Sequence, residues 1–209
     1  YKGLIIQPFI FMKYHREEEL KSRLNNFFIT QFSLPEDDYY SRLDSDKIIS
    51  LKMALSDINN LLTMKITISF VNWISKKFHL SQESKQKITD EILSTKPSTN
   101  GYDLVSNEII KLIAEVKCNI PINGGTKYGS AQRNGITKDL NNLLYGKTKS
   151  KFNTTEYFKF MVFLENQSVR VANQHYINLS KELKDNLIIV DETTSFDRKD
   201  CIYLIYINF

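Results

Sequence analysis

Residues Gly101 to Lys117, GYDLVSNEIIKLIAEVK, carry the strongest indication of a fold in this sequence. A short apolar segment with Asp103 is followed by the polar break Ser106-Asn107-Glu108, and then by a β-prone run that ends in Glu115 and Lys117. Two apolar segments around a polar break are typical of a β-hairpin. Side chains two residues apart on a strand point to the same face, so Glu115 and Lys117 are expected to project together.

These residue types suit a divalent cation. Magnesium prefers oxygen ligands in near-octahedral geometry and keeps several waters. The carboxylates of Asp103 and Glu115, with the main-chain carbonyl of Val116, would supply such oxygens. A bound metal polarises a phosphoryl oxygen and acidifies a bound water. Lys117 could then orient or deprotonate that water, or hold the phosphate.

The register of the hairpin decides whether this site can form. A two-residue turn at Asn107-Glu108 would pair Asp103 with Leu112 and place Asp103 on the face opposite Glu115. A shift of one residue moves every side chain to the other face. A metal site therefore requires a connection with an odd number of residues, or a strand with a bulge. The alternative interpretation is a surface strand whose alternating charges form one solvated face.

Asp103, Glu115 and Lys117 resemble the Asp…(Asp/Glu)-x-Lys signature of the PD-(D/E)xK nuclease superfamily, and type II restriction endonucleases are the most similar group within it. Tyr102 stands where the family has Pro, and TKPSTNG leaves little room for the core strand that usually comes first. The resemblance covers roughly residues 80–190. It implies an α/β (α+β) fold with a restriction-endonuclease-like core, in which helices flank a mixed central sheet. It also implies hydrolysis of DNA phosphodiester bonds with Mg²⁺, or with Mn²⁺ in its place.

The same resemblance assigns roles to individual residues. Asp103, Glu115 and Lys117 would be catalytic, and Asp103, Glu115 and the carbonyl of Val116 would hold the metal. Glu91, on a predicted helix just before the motif, is an additional candidate ligand, because some nucleases of this fold add a carboxylate there.

A basic segment follows the motif and is a candidate DNA-binding surface. Such a surface beside a metal site would bind phosphates next to the scissile one, with an affinity that falls as salt rises. A solvated helix face with a Lys-rich loop is the alternative. Gln132 also resembles a polar residue that some families of this fold place near the metal. The DNA-binding candidates are Lys127, Gln132, Arg133, Lys138 and Lys147.

Composition sets broad limits on the class of protein. The chain has 209 residues, of which 42% are hydrophobic and 25% are charged, and these values are typical of a soluble globular protein. A net charge of +4 permits nucleic-acid binding without requiring it. Cys118 and Cys201 make no disulfide framework and favour a reducing, cytoplasmic location. No apolar run has the length of a membrane span, so we expect no membrane partner.

The pattern along the chain divides it into two parts. Residues 1–95 are predicted to be mainly helical, with helices over 17–30, from about 44, over 66–78 and from Ser81 to about Leu93. Residues 96–209 alternate strands and helices, as an α/β core does. After the hairpin we expect a helix over 131–145 and a strand over 157–165, then a helix over 171–185 and strands over 187–190 and 201–208.

The sequence thus predicts a magnesium-dependent DNA endonuclease, most like a type II restriction enzyme. That resemblance implies double-stranded DNA as substrate and action as a homodimer, with the helical N-terminal region supplying packing, dimer or DNA contacts. One alternative is a less specific nuclease of the same superfamily, acting in repair, transposition or phage defence. Another is a nucleic-acid-binding module on the same fold that does not cleave.

Overall fold

A computed structural model describes residues 14–96, 101–121, 125–147, 153–178 and 185–209. The apolar stretch 1–14, for which the sequence indicates an extended arm or an edge strand, lies almost entirely outside these ranges. The helices are α1 (Arg16–Phe32), α2 (Ser45–Lys77), α3 (Gln82–Ser94), α4 (Ser130–Tyr145) and α5 (Gln167–Asn178). The strands are β1 (Leu104–Ser106), β2 (Leu112–Lys117), β3 (Phe158–Leu164), β4 (Leu187–Ile189) and β5 (Ile202–Ile207). None of these helices combines the length and the apolar character that crossing a membrane requires.

The strands form one mixed sheet in the order β1-β2-β3-β5-β4. β1 is an edge strand and runs antiparallel to β2, whereas the other neighbouring pairs are parallel. Central parallel strands are covered on both faces, which explains why β3 and β5 read as nearly continuous apolar runs. A mixed sheet flanked by helices confirms the predicted fold class at this level.

Each face of the sheet has its own hydrophobic cluster. Leu112, Ala114 and Val116 of β2 pack in a cluster that includes the buried residues of α2 and α3. Ile113 packs on the opposite face with the buried residues of α4. Glu115 follows Ile113 by two residues and therefore lies on the α4 face.

α2 differs from the prediction, because it is one helix of 33 residues rather than two. No Gly or Pro interrupts Ser45–Lys77. The polar Thr63 and Thr67 are accommodated because their hydroxyls donate to the carbonyls of Asn59 and Thr63, at 3.0 and 2.7 Å. Such bonds to the preceding turn let threonine sit inside a helix.

The division into compact units also differs from the prediction. One unit ends at Ser56 and the other begins at Asp57, so the boundary falls inside α2 instead of near residue 95. The reason is that Ile66, Phe70 and Ile74 of α2 are almost fully buried in the sheet cluster. Residues 57–95 are helical, as expected, but they belong to the core.

The first unit, described from residue 14, contains α1. The imidazole of His15 accepts a hydrogen bond from the backbone of Glu18, and acidic residues fill the first turn, which favours a helix N-terminus. Asp38 then ties the following loop to α1, with Lys21 at 2.7 Å and the Asn25 amide at 3.0 Å.

The remaining helices follow the prediction with one shift, except that residues 179–184 of the helix predicted over 171–185 lie outside the described ranges. Ser81 caps α3, and Ile136, Leu140 and Leu143 form the buried face of α4. α5 begins four residues earlier than expected because the side chain of Asn166 accepts from the backbone of Ser168, at 2.9 Å, and starts the helix there.

Candidate functional site

The β1–β2 hairpin has the register that a metal site requires. Leu104 pairs with Ala114 and Ser106 with Leu112, so five residues, 107–111, connect the strands. This odd number meets the condition derived from the sequence. Continuing the register by one residue sets Asp103 opposite Glu115, and directly opposed residues share a face. Asp103, Glu115 and Lys117 therefore belong to the same face of the hairpin.

Asp103 directly precedes β1 and bonds to β2 through its side chain. Its Oδ2 accepts a hydrogen bond from the backbone N–H of Val116, at 2.7 Å. The N–H and the carbonyl of one strand residue point to the same side of the strand. The carbonyl of Val116 is thus directed to the edge where Asp103 lies, as the predicted ligand set requires.

Glu115 is a buried carboxylate with an unusual electrostatic environment. Glu115 lies on β2, between β1 and β3 in the sheet, and the residue is only 4% exposed. Burial, followed by repulsion from Asp103, raises its pKa from 4.5 to about 7 against the opposing pull of Lys147. The Lys147 ammonium lies 2.7 Å from Oε1, an ion-pair distance. The arrangement is not a well-formed hydrogen bond, and Oε1 has no hydrogen-bond partner among the described residues.

Lys117 is held by a residue that the sequence analysis did not identify. Its ammonium forms an ion pair with Asp139 of α4, and both side chains are mostly buried. Burial alone would lower the pKa of Lys117, but the attraction of Asp139, Glu115 and Asp103 outweighs it and raises that pKa above its usual value. Lys117 is therefore a fixed cation in this state.

Tyr102 and Lys147 close the site from the side of α4. The ammonium of Lys147 also donates to the carbonyl of Gly101 and lies 4.6 Å from the ring centroid of Tyr102. The hydroxyl of Tyr102 donates to the carbonyl of Asn142, at 2.8 Å. Tyr102 thus anchors the start of β1 to α4.

Gly146 directs Lys147 into the site. Gly146 follows α4 with φ +88° and ψ 157°, a conformation that essentially only glycine adopts. Replacing Gly146 with Ala is expected to lower the free energy of unfolding by about 1–3 kcal/mol. Urea denaturation measures this change, and Gly135→Ala on an open surface of the same helix is the matched control. Equal stability of the two variants would contradict the prediction.

A cleft of about 680 Å³ opens over these residues. Asp103, Glu115 and Lys117 line it together with Asp139. A wall of polar side chains, which the sequence analysis did not anticipate, comes from α2 and the segment after β2: Asn60, Thr63, Thr67 and Asn119. The hydroxyl of Thr63 and the thiol of Cys118 lie 3.2 Å apart and connect α2 to the segment after β2.

The donor set fits one hard cation. Two carboxylates and the Val116 carbonyl offer the oxygen atoms that magnesium prefers, and the buried Oε1 of Glu115 lacks a hydrogen-bond donor in the described structure. Three or more His, Cys, Asp or Glu side chains do not converge anywhere in the described ranges. Waters or substrate oxygens would therefore complete the coordination, as is usual for magnesium.

Two predicted residues take other positions. Glu91 does not line this cleft; it lies beside a small separate cavity with Lys87 and Asn107. The Gln132 side chain accepts from the backbone of Gly129, at 3.1 Å, and donates to the carbonyl of Ile120, at 3.0 Å. These bonds fix the start of α4 to the segment after β2, so Gln132 has a structural role in this state.

The basic residues assigned to DNA do not all lie on one face of α4. Lys127, Arg133 and Lys138 are exposed, and none of them lines the cleft. Arg133 and Lys138 are five residues apart on α4, which separates their directions by about 140°. Of the candidate DNA-binding cations, only Lys147 reaches the motif.

The sequence contained a partial signal for Asp139. A carboxylate three residues after Ile136 and one before Leu140 lies at the edge of the buried stripe of an amphipathic helix. Such a position is half-buried and can reach the sheet below, but its partner depends on how α4 packs.

Compared with models of protein families, with curated proteins and with solved structures, the chain matches none. The resemblance to PD-(D/E)xK nucleases therefore rests on the motif and its geometry alone.

Proposed function

We propose that this protein is a magnesium-dependent endonuclease that hydrolyses DNA phosphodiester bonds. One observation carries the proposal: the register sets Asp103 opposite Glu115, with Lys117 two residues further along the same face of an open cleft. A solvated surface strand would not bury Glu115 or raise its pKa to about 7. Buried charged groups with perturbed pKa values in a cleft are typical of functional sites.

Each residue has a part in the proposed hydrolysis. Asp103, Glu115 and the carbonyl of Val116 would hold Mg²⁺, or Mn²⁺ in its place. When bound, the metal would polarise a phosphoryl oxygen and acidify a coordinated water. Lys117 would orient the attacking water or neutralise a phosphate oxygen. The water oxygen would form a bond to phosphorus and release its proton to solvent, the bond to the leaving sugar oxygen would break, and that oxygen would take up a proton from a second water.

The finer proposal is a sequence-specific enzyme similar to type II restriction endonucleases. It would act in the cytoplasm on double-stranded DNA as a homodimer, with one cleft for each strand. Two-fold symmetry of such a dimer would imply a palindromic target. The exposed Lys127, Arg133 and Lys138 would contact backbone phosphates, and these contacts would weaken as salt rises.

DNA cleavage with and without metal tests the proposal. Purified protein is incubated with plasmid and long linear DNA in Mg²⁺, Mn²⁺ or EDTA, and we expect discrete fragments only with metal. Asp103→Asn, prepared in the same way, should lose cleavage, whereas Asp200→Asn, at an exposed ion pair with Arg198, should retain it. Activity that survives Asp103→Asn would indicate a contaminant or another site and would refute the proposal.

Other outcomes select among the alternatives. A metal-dependent smear that depends on Asp103 would keep the nuclease but exclude sequence specificity, as expected for an enzyme of repair, transposition or phage defence. Binding of DNA without cleavage under any metal condition would refute the nuclease and favour a binding module.

A further inference from the structure

Lys147 is held beside Glu115 by several contacts, and a role in phosphate binding alone does not explain them. Its ammonium lies 2.7 Å from Oε1 of Glu115, donates to the carbonyl of Gly101 and rests over the ring of Tyr102. Its side chain is only 23% exposed. A lysine whose only role is to bind a DNA phosphate would be expected to extend into solvent in the free protein.

Glu115 needs a cation in the resting state. A buried carboxylate is stable in its charged form only when an opposite charge or hydrogen bonds accompany it. The neighbouring Lys117 is already paired with Asp139, and Asp103 adds a second negative charge nearby. Lys147 supplies the missing charge at the same oxygen that would bind the metal.

We propose that Lys147 is a resident cation of the site, which the metal displaces from Glu115 on binding. This inference rests on the proposed function. A divalent ion at Oε1 would repel an ammonium at ion-pair distance, and the long lysine side chain can turn outward from its partly exposed position. Lys147 is then free to bind the phosphate of the substrate, so loading of metal prepares the site for DNA.

The exchange predicts that Lys147 weakens metal binding. Coupling between two bound groups of this kind typically changes an affinity by about 5–150-fold. Lys147→Met keeps a long unbranched side chain but removes the competing charge, so we expect about tenfold tighter binding of Mg²⁺. Lys147→Arg keeps the charge and should bind Mg²⁺ about as the wild type does.

Calorimetric titration of Mg²⁺ into the full chain, without DNA, measures these affinities. Titration at about pH 8.5, above the pKa of Glu115, limits competition by protons. Lys111→Met, at an exposed ion pair with Glu156, is the matched control. Tighter binding by Lys147→Met alone supports the exchange, and equal or weaker binding overturns it.

A second measurement uses the wild-type protein and does not depend on how a variant folds. Amine-reactive labelling, quantified by mass spectrometry, should modify Lys147 faster when Mg²⁺ is present, whereas labelling of Lys111 should not change. If Glu115-dependent Mg²⁺ binding is found but neither result follows, only the exchange fails. If the wild type binds no Mg²⁺, both the exchange and the proposed function fail.

Discussion

Above pH 7, Glu115→Gln is expected to be more stable than the wild type and, at the same time, to lose metal-dependent cleavage. The folded protein raises the pKa of Glu115 from 4.5 to about 7, so it binds the proton more tightly than the unfolded chain does. The free energy of unfolding therefore falls as pH rises from about 4.5 through about 7. At about 1.4 kcal/mol for each pKa unit, the ionised carboxylate destabilises the fold by about 3 kcal/mol.

Gln has nearly the same shape and carries no charge, so it removes this destabilisation. Urea denaturation without metal should give similar stabilities for the two proteins near pH 5 and a difference of about 2–3 kcal/mol near pH 8. Glu192→Gln, in an exposed turn, should match the wild type at both pH values. A Glu115→Gln variant that is no more stable than the wild type at pH 8 would mean that Lys147 and the site fully compensate the charge, and would contradict the prediction.

The same variant should lose cleavage because a carboxamide is a much poorer ligand for magnesium than a carboxylate. We expect a decrease of about 10²–10³-fold in the cleavage rate at saturating DNA. Gain of stability together with loss of activity is the pattern of a residue kept for function. Full activity of Glu115→Gln would remove Glu115 from the metal site.

Lys117 is expected to give the largest loss of activity. Lys117→Met should decrease kcat by about 10³-fold, the upper end of what loss of one electrostatic stabiliser of a transition state costs, while Mg²⁺ still binds. A role for Lys117 in packing alone would instead change stability and leave kcat nearly intact. Single-turnover cleavage, with metal affinity measured separately, distinguishes the two cases.

Asp139 is expected to act through Lys117 as a positioning residue. Asp139→Asn keeps the ammonium charge but releases it from the ion pair, so kcat should fall by about 10–100-fold with little change in KM for DNA. Asp139→Glu should recover part of the rate because it restores the ion pair. Asp200→Asn is the control, and an unchanged kcat in Asp139→Asn would refute this role.

The sequence predicted the parts of this fold that depend on local patterns. The helix predicted over 131–145 matches α4 to within one residue at its start, because the spacing of Ile136, Leu140 and Leu143 and the glycine at 146 are local signals. Mistakes arose where a local signal was ambiguous. The sequence predicted two helices, from about 44 and over 66–78, yet threonine hydroxyls bond to the preceding turn and α2 is continuous.

The candidate site was predictable only in part, for a physical reason. Asp103, Glu115 and Lys117 lie close in the sequence, and the period of a strand relates the last two directly. Their partners, Asp139 and Lys147, come from α4 and the residue after its cap, and they reach the site only because that helix packs on the sheet. Lys147 was assigned to DNA from its charge, because nothing local indicates that it points toward Glu115.

The connection between β1 and β2 also limits how this chain can vary in length. Because side chains alternate with a period of two, gain or loss of a single residue within 107–111 would turn Asp103 away from Glu115, unless a bulge restored the pairing. Changes of two residues would keep both carboxylates on one face. Insertions and deletions in this loop should therefore be tolerated in even steps among active relatives, and a viable single-residue change should be accompanied by a bulge in one of the two strands.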